Sequence, residues 1–273
     1  MRRAITAIEM VTTLVVLGVV LALIARTATS HERLQRTLAA SRNNSRAVVQ
    51  TTEIFAAALA TISAEDLDRT QATDSAVEFQ LLVGTALGCV AGASVHIGAD
   101  RVGAALSAFY GSVQVGDGVL ALDVTQRHPR WIQSHVEFVG AGGSTCTVAA
   151  SAEGQTVRLD APVSGMTLTA FRFTRRVRLS LYRGGDRAWY LGFRDWNAAT
   201  LRFNTVQPVA GPLAAYAAGA GNSGLRFSFL DSAGRDLSLP LVAGATVRAI
   251  RAAARSEDGA DSAQRTVALR DAP

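Results

Sequence analysis

Lysine is absent from this chain, and all 27 basic residues are arginine. Against 22 acids they leave a net charge of only +5, too small an excess to define a dedicated nucleic-acid binder despite a pI near 10. Cysteine and histidine are scarce: Cys89, Cys146, His31, His96, His128 and His135 are the whole supply. No CxxC or HxxxH spacing gathers four ligands, which excludes a zinc ribbon or finger. There is no GxxxxGK[ST] or GxSxG, and no GxGxxG leads from a strand into a helix, so phosphate cradles and nucleophile elbows lack their usual signatures. The expectation is a chain with no metal, no cofactor and no catalytic residues. With 49% hydrophobic residues over 273 positions, it has enough apolar side chain for a packed core and is not a disordered polypeptide.

What is present at the amino terminus is a long apolar run. Residues 5–25 carry one charge, Glu9, and as a helix would cover roughly 31 Å, close to the hydrocarbon thickness of a bilayer. Arg2 and Arg3 precede it, which by the positive-inside rule would hold that end in the cytoplasm and place the rest of the chain across the inner membrane. Glu9 within such a run is costly unless it is paired or reaches the interface. Snorkelling of Glu9 to the headgroups of an ordinary anchor is one reading. A conventional signal peptide is another, although ALIARTATS offers only poor A-x-A sites, broken by Arg26.

The whole pattern, basic leader, small Ala4, apolar Ile5, Glu9 at the fifth position from Ile5 and then an unbroken apolar stretch, resembles the prepilin signature of the type IV pilin and pseudopilin family. The resemblance implies cleavage between Ala4 and Ile5 by a prepilin peptidase, and N-methylation of Ile5. Ala4 and Ile5 stand where the family most often has Gly and Phe. It further implies that the new Ile5 amine meets the Glu9 carboxylate of a neighbouring subunit and sets axial register, a use of buried charge with good physical precedent. The expected partners are other pilin or pseudopilin subunits, the peptidase, an inner-membrane assembly platform, and membrane lipid before assembly.

Beyond the run there is no proline before Pro129 and no glycine between Gly18 and Gly84, so the helix is expected to continue to about Ile62. Leu34, Leu38, Val48, Val49, Ile54, Phe55, Leu59 and Ile62 recur at spacings near three and four and predict one apolar stripe facing a partner. From about residue 76 short alternating segments separated by Gly, Asp, Asn or Pro predict antiparallel strands. In 171–181 the odd positions are apolar except Arg175, which should meet an acid or mark a register break, and the even positions are polar. GPLAAY at 211–216 and GLRFSFLDSAGRDL at 224–237 look like the carboxy-terminal half of PilW-like minor pilins and J-type pseudopilins, and a head of this bulk suits a minor subunit near a tip.

The expected fold class is therefore α+β, a long amino-terminal helix with a membrane-spanning first half, packed on an antiparallel β-sheet head. Its parts would be a leader at 1–4, a membrane or filament-core segment at 5–25, a continued helix at 26–62 and a head at 63–273. Cys89 and Cys146, 57 positions apart on the oxidising side, are candidates for a disulfide worth about 4 kcal/mol; two buried thiols are the alternative. Arg172, Arg176 and Arg178, interleaved with Phe171, Phe173 and Tyr182, have the composition of a single-strand DNA surface, although a solvated strand face explains them better. Asp117, Asp123, Asp231 and Asp236 lack calcium-loop spacing, and DSAGRD at 231–236 reads as a β-turn. His128 to Trp131, with Asp186, Trp189, Asp195 and Trp196, invite a sugar-binding or carboxylate-pair reading, against which stand ordinary packing and turn roles. The function expected is filament assembly; the alternative is a membrane-tethered exported β domain that binds DNA, polysaccharide or a secreted substrate.

Overall fold

The alternating segments pair into thirteen strands among the described residues, every pairing antiparallel. The structure, a computed structural model, describes residues 7–91, 93–98, 107–123, 130–141, 154–161, 169–218, 222–242 and 244–270, with side chains in the first helix at Leu21, Ile24 and from Arg26 onward. The helix α1 spans Ala7–Leu59, and is followed by β1 (Ala76–Ala91), β2 (Ser94–Gly98), β3 (Ser107–Phe109), β4 (Gly118–Asp123), β5 (Arg130–Ala141) and β6 (Gly154–Leu159). Then come β7 (Thr169–Arg183), β8 (Trp189–Asn197), β9 (Arg202–Phe203), β10 (Gln207–Leu213), β11 (Leu225–Leu230), β12 (Ala249–Arg255) and β13 (Ser262–Ala268). TCTVAAS at 145–151, one of the short alternating segments beyond residue 76, lies outside the described residues.

The strand ladder closes on itself. β1 pairs with β7, β7 with β4, β4 with β5, β5 with β6, β6 with β2, and β2 again with β1, which makes a ring of six strands. A ring this small is filled by its own side chains: Phe171, Phe173, Val95, Val119 and Val157 pack inside it. β7 is long enough to leave the ring, and its second half pairs with β8, which carries β9 and β10. A separate three-stranded sheet, β11-β12-β13, faces this extension, and between them lies a second core of Val77, Phe79, Val177, Leu179, Phe227, Phe229 and Ile250.

The last turns of α1 complete that second core. Ala47, Val48, Thr51, Thr52, Phe55 and Leu59 are buried at spacings of three and four, and Phe55 stacks on Phe227 with ring centroids 5.5 Å apart. The helix stops at Leu59, three residues short of expectation, because the chain turns to place Ile62 in the core and to bond the Ala64 amide to the Arg270 carbonyl at 3.3 Å. The expected single stripe is split. Val48, Phe55, Leu59 and Ile62 face the head, whereas Leu34, Leu38 and Val49 are exposed, the first two because they precede the point where the helix meets the head.

Two expectations are corrected. The α+β description, a long helix packed on a modest sheet head, gives way to a mostly β chain with one α-helix among the described residues, whose core is built chiefly by strands and of whose helix, from Arg26 onward, only the carboxy-terminal turns are packed. Among the described residues no helix is long and apolar enough to cross a membrane, so a single-pass inner-membrane location through residues 5–25 is not supported. From Arg26 onward the helix carries Arg26, His31, Glu32, Arg33 and Arg36, charges that hydrocarbon would not accept.

Candidate functional site

The helix extends far beyond the head that supports it. From Ala7 to about residue 43 it runs roughly 55 Å at helical rise, and all of its described side chains over 21–43 are exposed. Leu21, Ile24, Leu34 and Leu38 are about half accessible. Isolated large apolar residues on a surface need no explanation, but four along one unsupported helix do. The stretch 21–43 is also basic: Arg26, Arg33, Arg36 and Arg42 stand against Glu32, which pairs with Arg36. Ala4 and Ile5, the residues of the expected processing site, lie outside the described residues; Glu9 is on the helix, with its side chain likewise outside.

The arginines of β7 are placed as alternation requires but are not a solvated face. The segment after α1, residues 63–68, folds over them and brings acids. Arg172 donates to Asp66 Oδ2 at 2.7 Å, and both side chains are largely buried. Arg176 pairs with buried Glu78, lies 3.7 Å from Asp68, and sits over the Trp196 ring at 4.7 Å and the Phe203 ring at 5.4 Å. Arg178 falls opposite Glu78 on one side and Arg194 on the other. A polar cleft of about 540 Å³ remains beside them, walled by Trp131, Trp196, Gln80 and Gln133. The positive charge expected of a DNA surface is largely neutralised. The signal for this was present in the acid-rich SAEDLD at 63–68, directly ahead of the strands.

The other constellations resolve into structural roles. Asp117 binds Arg175, Asp123 lies 3.5 Å from Arg130, and Asp236 lies 3.4 Å from Arg251. Asp231 caps its own turn, accepting from the Ala233 and Arg235 amides at 2.8 and 3.0 Å, with Gly234 at φ +75. Among the described residues no three His, Cys, Asp or Glu side chains are grouped to hold a metal. Asp186 accepts from the Tyr190 hydroxyl, Asp195 from the Asn204 side-chain amide, and Trp189 packs against the second core. His128 lies outside the described residues. Cys89 is disulfide-bonded; Cys146, the chain's other cysteine, lies outside the described residues.

One grouping escaped the sequence reading because its members lie far apart in the chain. Ser134 and His135, in the middle of β5, meet Asp160, which directly follows β6. The Ser134 hydroxyl donates to Asp160 Oδ1 at 2.7 Å, the His135 amide donates to the same oxygen at 2.8 Å, and His135 Nδ1 lies 3.1 Å from Oδ2. The serine donates to the carboxylate rather than to the imidazole, so this is not the relay order of a hydrolase. Those bonds, the Ser134 hydroxyl first, hold the Asp160 carboxyl down to about 2.

Comparison of the chain with protein-family models, with curated proteins and with solved structures finds no match.

Proposed function

We propose that this protein is a minor pilin or pseudopilin subunit that joins a filament through its amino-terminal helix. The observation that carries the reading is the helix itself, folded over 53 residues while every described side chain over 21–43 is exposed and the head covers the last few turns. An isolated helical segment gains little stability in water without a packed face. Exposed Leu21, Ile24, Leu34 and Leu38 supply that face to neighbouring helices. The prepilin-like pattern of Ala4, Ile5 and Glu9 supports the same reading from the sequence.

Charge favours a minor over a major role. Identical helices packed side by side in register would bring the four arginines of residues 26–42 together in each copy, with Glu32 alone in that stretch to offset them. At about 8–10 Å of screening length, adjacent helices feel that repulsion. A mixed bundle, in which neighbours bring acids, removes it. Other subunits of the same filament are therefore the partners, with a prepilin peptidase and an assembly platform acting before them.

The test is a Leu34→Glu/Leu38→Glu chain expressed in its own organism. The head should fold and accumulate normally while the chain disappears from sheared surface filaments and from cross-linked assemblies. Incorporation at the level of the unaltered chain would overturn the reading.

A further inference from the structure

Beyond filament assembly, and independent of it, we infer that the outer face of the β11-β12-β13 sheet binds an anionic polysaccharide. The inner face of this sheet, with Phe227, Phe229, Ile250 and Ala252, is turned to α1 and the second core. Alternation then sends Arg226, Ser228, Arg251, Ala253 and Arg255 to the opposite side. Register places Arg226 opposite Ala253, so that Arg251 and Arg255 flank it two residues away in either direction. Three guanidinium groups thus frame a floor made small by Ala253, with Ser228, Ser262 and Gln264 offering hydroxyl and amide groups beside them.

These arginines differ from those of β7 in what surrounds them. Arg251 lies 3.4 Å from Asp236, whose side chain is more than half exposed, and among the described residues no carboxylate lies within ion-pair distance of Arg226 or Arg255. Asp258, in the turn after β12, accepts from Ser256 and Asn44 instead. The face is therefore net cationic, its three arginines standing against the partly exposed Asp236 and, at its edge, Asp74, which accepts from the Tyr216 hydroxyl.

Its shape selects among polyanions. Two adjoining hollows of about 460 and 510 Å³ share Arg226, Ser228 and Asp236, which suits an extended ligand better than a single ion. The second hollow adds Leu239 and Pro240, apolar surface of the kind sugar-ring faces cover. Neither outer-face hollow offers an exposed aromatic platform of the kind on which single-stranded bases stack; Phe227, at the second hollow, is itself buried. Guanidinium forks on carboxylates, with serine and glutamine on ring hydroxyls, meet the chemistry of a uronate-bearing chain.

The experiment uses the full chain with polygalacturonate as probe, neutral dextran as the uncharged control and an oligothymidylate as the competing polyanion. Titrations at low and moderate salt should show binding to polygalacturonate alone, weakened by roughly tenfold or more in Arg226→Gln/Arg251→Gln/Arg255→Gln. The single exposed change Arg226→Gln should weaken it in part, which keeps the test open if the triple variant folds poorly. Arg33→Gln/Arg36→Gln/Arg42→Gln on the helix should leave it unchanged. Equal losses in the sheet and helix variants, no binding at low salt, or tighter binding of the oligothymidylate would each overturn the inference.

Discussion

Arg175 donates from Nε and Nη2 to the two carboxylate oxygens of Asp117, at 2.7 and 2.8 Å, and the pair sits where the two apolar cores meet. On β7, Phe173 belongs to the barrel core and Val177 to the core under the helix, with Arg175 between them on the same face. Nη2 also reaches the Ser112 carbonyl at 2.7 Å, and the Asp117 carboxylate accepts the Gln114 amide at 2.8 Å. The Asp117 bonds hold the Arg175 guanidinium above its ordinary pKa. Gly116, at φ +88 and packed against Ala198, makes the turn that delivers Asp117.

Breaking this pair should be expensive. Asp117 is almost wholly buried and Arg175 nearly so, so Asp117→Ala leaves a cation without its partner and should cost about 3–5 kcal/mol in urea unfolding. Arg175→Met/Asp117→Leu, which removes both charges, should recover most of that loss. A double variant as unstable as the single one would show that the pair is not the source of the penalty.

Much of this fold is legible in the sequence for a physical reason: antiparallel strands with one covered face alternate, and alternation is local. Phe171, Phe173, Val177 and Leu179 declare their side by period alone, and Arg175 declares itself as the exception, met by Asp117; the register shift between Leu82 and Gly84 falls further along, at Thr174 and Phe173. Barrel closure is not local. It depends on β1 pairing with β7 and β2 with β6, partners far apart in the chain, and no residue pattern marks that. The fate of Arg172 and Arg176 is legible only in part: the acids at 63–68 stand just ahead of the strands, but that Asp66 and Glu78 reach these two arginines is set by the tertiary fold. The split of the helix stripe follows from where the head ends, which periodicity does not encode.

The two halves of that stripe should respond oppositely to mutation. Phe55→Ala empties a fully buried site stacked on Phe227 and should destabilise the head by about 3–5 kcal/mol. Leu34→Ala/Leu38→Ala should change monomer stability by no more than about 0.5 kcal/mol, because both residues are exposed. Thermal or urea unfolding of the purified chain reads both. A large loss from the leucine pair would mean that the projecting segment folds back on the head.

The proposed subunit role makes a prediction about processing that needs no knowledge of the assembly machine. The mass of the mature chain from its own organism should lack Met1–Ala4 and carry one methyl group on Ile5. Glu9→Leu should be processed as efficiently as the unaltered chain yet fail to enter filaments, as removal of an acid needed by a neighbour's amine would require. Equal incorporation of Glu9→Leu would remove the proposed pairing.

The Ser134–His135–Asp160 cluster gives the head a defined acid response. The folded Asp160 carboxyl titrates near 2, below its ordinary value of 3.8. A depressed carboxyl contributes stability that is complete above its unfolded pKa and is lost as pH falls through the folded one. The loss attributable to Asp160 should therefore run from about pH 4 down to about 2. Because the side chain is about half exposed, solvent screens the contribution, and its sign and pH window are the observables. Unfolding midpoints recorded across that window should fall less steeply for Asp160→Asn than for the unaltered chain, while the two slopes coincide above about pH 5. Parallel curves throughout would mean that Ser134 and His135 do not hold the carboxylate in its charged form.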